Sequence, residues 1–185
     1  MTPIWQASEE TLARGEVPPP FWAFAWAGGQ ALARFLLDHP QLVEGRSLLD
    51  FGSGSGLVAI AAKKAGAAHV VAAEIDHFAA AAIALNAALN EVAIEIATAD
   101  PIDAPDGAWT MITAGDICYE RGMAERAIAW LRRLARGGAQ VFLGDPGRAY
   151  LPQHGLCERA CYSVPTSREI EDRDSRETGV FEILC

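Results

Sequence analysis

The sequence predicts an α/β fold: one domain on a mostly parallel, seven-stranded sheet, helices on both faces, and an antiparallel hairpin at the C-terminal edge. Three observations carry this. Short apolar strands alternate with amphipathic helical stretches from Ser47 to Asp145, the pattern of parallel βαβ units. A glycine-rich turn, Gly52-Ser53-Gly54-Ser55-Gly56, joins the first strand to the helix after it. Beyond Asp145 the alternation stops, and "LCERACYSVP" and "GVFEIL" read as two strands with no long helix between them.

The elements follow in order. "EVPPPFWAFAW" is a proline-rich lead expected to be extended. "AGGQALARFLLDHP" sets Leu32, Phe35 and Leu36 on one helical face, and Pro40 stops the helix. "SLLDFG" is a buried strand; "SGLVAIAAKKAG" is a helix with Leu57, Ile60 and Ala61 on one face and Gly66 as its C-terminal stop. "AHVVAAEID" is the second strand. Asp76 is placed to cap the next helix, whose stripe reads Phe78, Ala82, Leu85 and Leu89. "AIEIAT" is the third strand, followed by an acidic turn, and "WTMITAGD" is the fourth. "RGMAERAIAWLRRLARGG" turns Met123, Ala127, Trp130 and Leu134 inward and ends at Gly137 and Gly138; "AQVFLGD" is the fifth strand. "TSREIEDRDSRET" is a charged stretch expected to be a solvated loop.

At 185 residues the chain suits a single domain: residues 1–45 as an N-terminal cap and first helix, 46–150 as a cofactor-binding core, and 151–185 as edge strands. Its composition, 51% hydrophobic and 21% charged, is ordinary for a globular protein. No apolar run approaches the ~20 residues of a membrane span. The N-terminus lacks a basic region followed by an apolar one and carries acids early, so a cytoplasmic location is expected. A net charge of −9 gives no basic footprint for nucleic acid and suits a basic or protein substrate. The four cysteines, Cys118, Cys157, Cys161 and Cys185, form no CxxC pair and have no histidine at metal spacing, so they read as reduced thiols and no metal is expected. Cys157 and Cys161 are placed on one face of their strand.

The glycine turn sits where an open parallel sheet binds its ligands, at the carboxyl end of a strand. A tight turn without a ligand is the plainer reading, but three glycines in five residues cost folding entropy without a local need. The spacing is G-x-G-x-G, and Leu57 takes the place of the last glycine of the dinucleotide pattern. Asp50, two residues before Gly52, would repel a pyrophosphate and suits a ligand carrying an ammonium. S-adenosylmethionine combines an adenosine with an amino-acid tail. Glu74, ending the second strand, is placed for ribose hydroxyls, although it would also serve as a surface or capping acid. Asp100, after the third strand, is a candidate acceptor for the adenine amino group. Trp22 and Trp26 precede the first helix, where they cover the cofactor or pack in the core. Trp109 is expected to touch the adenine through its backbone, and Trp130 to be core.

These residues resemble a known family. "LLDFGSGSG" with Glu74 resembles the first motif and acidic strand end of the class I, seven-stranded methyltransferases. "PFWAFAWAGGQALARFLLDHP", "GDICYE" and "LGDPGR" together resemble the family 16 protein methyltransferases, whose D-x-x-Y pattern falls on Asp116 and Tyr119. Ala27 departs from the proline usual there, and Glu74 replaces the commoner aspartate. The resemblance implies a Rossmann-like domain that methylates lysines of a protein, with the electron transfer flavoprotein β-subunit as substrate; a monomer is the expected working state. It implies cofactor contacts at Trp26, Gly28, Gly29, Asp50, Phe51, Gly52, Ser53, Gly54, Glu74, Ile75, Asp100 and Asp116.

Asp116, ending the fourth strand, is read as orienting the lysine ammonium and then the amine, with Tyr119 bonding to the amine or walling its channel. A helix N-cap is the plainer reading of Asp116. The Asn/Asp-Pro-Pro-aromatic run of adenine methyltransferases is missing after that strand; Asp145-Pro146 follows the fifth instead. Three other functions compete: a small-molecule N-methyltransferase, for which a capped, narrow pocket would speak; a non-catalytic S-adenosylmethionine-binding protein; and a nicotinamide dehydrogenase.

Overall fold

The computed structural model describes residues 19–184 apart from 105, 106, 108 and 172. Glu16 to Pro18 of the proline-rich lead, and Cys185, lie outside the described residues. The strands are β1 (Ser47–Phe51), β2 (His69–Ala73), β3 (Glu95–Ala97), β4 (Met111–Gly115), β5 (Gln140–Asp145), β6 (Leu156–Pro165) and β7 (Ser175–Ile183). They form one sheet in the order β3-β2-β1-β4-β5-β7-β6. β1 to β5 pair in parallel, and β7 runs antiparallel to both β5 and β6. The strand order reverses between β1 and β4, which brings the turn after Phe51 beside Asp116.

Successive strand residues point to opposite faces. Leu48, Val70 and Met111 therefore join one core, and Leu49, Val71 and Ile112 join the other. Helices α1 (Ala27–Asp38), α2 (Leu57–Lys64) and α3 (His77–Leu89) cover the first face, and α4 (Arg121–Arg136) covers the second. α1 buries Leu32, Phe35 and Leu36 as expected and ends at Asp38. His39 leaves the helical region ahead of Pro40, whose ring disfavours a helical residue before it. α4 buries Ala127, Trp130 and Leu134, with Met123 half-buried beside them.

Several local expectations are corrected. The lead is not extended throughout, because Phe21–Ala23 forms a 3-10 turn whose Phe21 carbonyl accepts from Trp26 Nε1 at 2.7 Å. α2 buries Ile60 and Ala61 as expected, but Leu57 stays half-buried, and Val58, Ala59 and Ala62 pack into the first core. α3 buries Ala79, Ile83 and Ala87, and leaves Phe78, Leu85 and Leu89 at 60, 68 and 81% exposure. Asp76 does cap it, accepting from the Phe78 N–H at 2.8 Å.

Cys157 and Cys161 do not share a face. Cys157 lies opposite Glu182 and Cys161 opposite Gly179, because a bulge between Glu158 and Ala160 shifts the register by one. The charged stretch before β7 is not all loop: it folds a short helix, α5 (Arg168–Glu171), and buries Glu171 at 5% exposure. Among the described residues, no cluster of His, Cys, Asp or Glu is placed to hold a metal ion, and no helix is long and apolar enough to cross a membrane.

Candidate active site

The turn after β1 places Gly52 at φ +63° and Gly54 at φ +56°, left-handed conformations that glycine adopts without strain. The turn is tied on both sides. Glu74, just after β2, accepts from the Gly54 N–H at 2.9 Å and from the Asp76 N–H at 3.1 Å. Each carboxylate oxygen of Glu74 keeps a lone pair for a ligand hydroxyl. Asp50, 1% exposed, accepts from Ser53 Oγ at 2.6 Å and from Thr113 Oγ1 at 2.8 Å. Burial pushes its carboxyl up to about 6, against those two hydroxyls.

A cavity of about 680 Å³ opens at this end of the sheet, within the usual size of a small-molecule site. Phe51, Gly52, Gly54, Glu74, Ile75 and Asp100 line it on the β1–β3 side, and Trp26, Asp116 and Tyr119 on the other. A recess of about 60 Å³ adjoins it, lined by Gly29, Asp50, Ser53 and Asp116. Trp22 lines the cavity; it is not core. Phe21, Tyr119 and Ile75 remain 43, 50 and 65% exposed, so the cavity is open to solvent on that side. Asp100 is engaged from below: its Oδ1 accepts from Ile102 N at 3.0 Å, and its Oδ2 from Arg126 Nη1 at 2.9 Å.

Two expected contacts are corrected. Gly28 is buried between α1 and β5 and does not line the cavity. A Cβ there would lie 2.2 Å from the Gly144 carbonyl oxygen, so glycine serves close packing at that position. Trp109 lies at the amino end of β4, packed against the second core, far along the strand from the ligand end.

Asp116 is not a helix cap. Glu120 caps α4, accepting from the N–H groups of Gly122 and Met123 at 2.9 and 2.8 Å. Asp116 instead sits at φ +58°, a strained angle for a residue with a side chain. Its own N–H donates to the Gly144 carbonyl at 2.9 Å. Its Oδ2 accepts from Gly29 N at 2.9 Å, and its Oδ1 from Arg148 Nε and Nη2 at 3.1 and 2.7 Å. Burial pushes the carboxyl up to about 6, against the Arg148 guanidinium. The sequence reading missed Arg148 as a site residue, although it ends the "LGDPGR" stretch beside Asp145. It also missed Thr113, which strand alternation turns toward Asp50, and Glu171, for which a charged run gave no signal.

The residues fit S-adenosylmethionine. The main cavity has room for an adenosine with Glu74 beside it, and the recess offers the Asp50 carboxylate to an amino-acid tail. An acid-lined cavity at the β1/β4 reversal of this sheet order defines a class I methyltransferase. The family model for ribosomal protein L11 methyltransferase (PrmA) matches residues 31–115. A crystal structure of ribosomal protein L11 methylase from Lactobacillus delbrueckii subsp. bulgaricus superposes with a TM-score of 0.60 at 23% identity, covering 86% of this chain and 79% of that one. Magnesium protoporphyrin IX methyltransferase from Synechocystis PCC 6803, with bound SAH, superposes with a TM-score of 0.61 at 17% identity, covering 85% and 81%. The electron transfer flavoprotein beta subunit lysine methyltransferase of Xenopus laevis is 40% identical over 184 residues, 96% of this chain and 74% of the relative. The chain belongs to the electron transfer flavoprotein beta subunit lysine methyltransferase family.

Proposed function

We propose that this enzyme methylates lysine side chains of the electron transfer flavoprotein beta subunit, using S-adenosylmethionine as donor. One observation carries the reading: an open, acid-lined cavity in which Asp116 and Tyr119 lie across from the glycine turn and Glu74. The exposed rim of Phe21, Tyr119 and Ile75 favours a protein surface over a small molecule, which would call for a closed pocket.

Glu74 would hold the ribose hydroxyls, Asp50 the ammonium of the amino-acid tail, and Gly52 and Gly54 the backbone approach; Asp100 would face the adenine. When bound, S-adenosylmethionine supplies a sulfonium methyl open to in-line displacement. The remaining tasks fall to the chain. A free lysine has a pKa near ~10.4, so fewer than about one in a thousand is neutral at pH 7. Asp116 orients the nitrogen through the one lone pair of Oδ2 that Gly29 leaves uncommitted. Tyr119 walls the approach. Positioning supplies most of the acceleration, because the donor is already reactive. We read the working state as a monomer that acts on no nucleic acid, in keeping with the net charge of −9.

The test is intact mass spectrometry of purified electron transfer flavoprotein incubated with this protein and S-adenosylmethionine. Methyl-sized mass steps on the beta subunit are expected. No mass change from protein that binds S-adenosylmethionine would remove the substrate and leave the class.

A further inference from the structure

Arg148 is the cation nearest the acceptor side of the cavity, and it is held from every direction. Its backbone N–H donates to Asp145 Oδ1 at 2.6 Å. Its Nη2 donates to both Asp116 Oδ1, at 2.7 Å, and Glu171 Oε1, at 2.9 Å. Its guanidinium lies 5.5 Å from the Trp26 ring centroid. Behind it, Glu171 pairs with Arg176 at 2.9 Å. The Arg148, Asp116 and Glu171 side chains are 16, 10 and 5% exposed, so solvent screens these charges weakly.

The four charges of Asp116, Arg148, Glu171 and Arg176 cancel. Cys118 and Tyr119 after β4, Asp145 on β5, Glu74 across the cavity after β2 and Asp50 on β1 bring no further cation to them, and Arg168, on α5 with Glu171, is taken by Asp174. Arg126, the other cation lining the cavity, is taken by Asp100 and Asp103.

We propose that Arg148, anchored by Glu171, is a positioning residue that neutralises Asp116 so that the acceptor lysine can shed its proton in the site. The proposal rests on reading Asp116 as the group beside the acceptor. A lysine arrives as an ammonium. The surrounding carboxylates favour keeping that proton, and the Arg148 guanidinium, by offsetting Asp116, weakens their hold so that the proton passes to water. The nitrogen lone pair then forms the new N–C bond, while the electron pair of the broken S–C bond stays on sulfur.

The experiment follows kcat/KM against pH from 7 to 10, with electron transfer flavoprotein as substrate, for wild type, Arg148→Gln and Glu171→Gln. S-adenosylmethionine binding serves as the fold control. Arg148→Gln makes the site more negative, so the midpoint of the rise in rate should move up by about one pH unit or more. Activity would then fall about tenfold at pH 7 and recover by pH 10. Glu171→Gln makes the site more positive, so its midpoint should move down. A structural role would lower both profiles without moving either midpoint, and that result would overturn the proposal. If Arg148→Gln does not fold, the direction of the Glu171→Gln shift decides alone. No methylation by wild type overturns the functional reading together with this one. An Asp116→Asn variant as active as wild type overturns the placement of the acceptor. Methylation with both midpoints unmoved overturns the Arg148 proposal by itself.

Discussion

The backbone N–H of Gly54 donates to Glu74 Oε2 at 2.9 Å, so the acid that follows β2 also fixes the turn that follows β1. Two parts of the proposed cofactor site are therefore one unit. Glu74→Ala removes the acceptor for the ribose hydroxyls and frees the turn at the same time. Calorimetry should show S-adenosylmethionine binding weakened by ~1–3 kcal/mol, the usual cost of losing hydrogen bonds to a charged acceptor. Unchanged affinity would show that Glu74 does not hold the ribose.

Asp116→Ala should abolish methyl transfer and leave S-adenosylmethionine binding within a few fold of wild type. Arg148 keeps Glu171 as a partner in that variant, so the local network survives the loss of one carboxylate. Mass spectrometry of the flavoprotein gives the first quantity and calorimetry the second. Full activity would end the role given to Asp116. A large loss of cofactor affinity would move that role from the acceptor to the donor.

The fold was legible because its signals are local and repeated. Short continuous apolar runs place β1, β2, β4 and β5 as strands buried on both faces, and the change of pattern after Asp145 places the hairpin. The cofactor side was legible for the same reason: Asp50, the glycines and Glu74 sit at strand ends that the sequence marks. The acceptor side was only half legible. Asp116 and Tyr119 were in view, but Arg148, the ion-pair partner of Asp116, comes from the turn after β5, and Glu171, which holds Arg148, comes from α5, both distant in sequence. Arg148 looks like any loop arginine until Asp116 is set beside it. Glu171 was hidden in a run whose charges promise solvent. Trp109 was misplaced because a strand's two ends look alike in sequence while only one faces the ligand.

α3 shows a different failure, and it yields a stability prediction. The helix is so rich in alanine and leucine that two apolar lines compete for the core. Ala79, Ile83 and Ala87 win because small residues let the helix approach the sheet. Ile83 is fully buried, whereas Leu85 and Leu89 are 68 and 81% exposed. In urea unfolding, Ile83→Ala should cost about 2–5 kcal/mol through lost burial and the cavity left behind. Leu85→Ala and Leu89→Ala should each cost less than about 0.5 kcal/mol. A loss at Leu85 or Leu89 equal to that at Ile83 would show that the outer face of α3 is covered in solution.

Asp50 carries the pH dependence. Its folded-state carboxyl is pushed up to about 6 by burial, against an unfolded value near ~3.9. Between those two values the folded chain binds more protons than the unfolded one, so stability falls as pH rises across that window and levels off above it. The contribution is fully present below the unfolded value and lost as pH passes about 6. Asp50→Asn keeps the shape, and the Ser53 and Thr113 hydroxyls can reorient to serve an amide. The variant should therefore gain melting temperature relative to wild type at pH 7.5 but not at pH 4.5. The same substitution should weaken S-adenosylmethionine binding at pH 7.5, because it removes the charge facing the ammonium. Wild-type affinity should likewise decline as pH falls below about 6, where Asp50 takes up its proton. A melting-temperature offset that is the same at both pH values would show that Asp50 is not the titrating group. A more stable protein that binds its donor less well is the outcome expected of a carboxylate kept in the core for its charge.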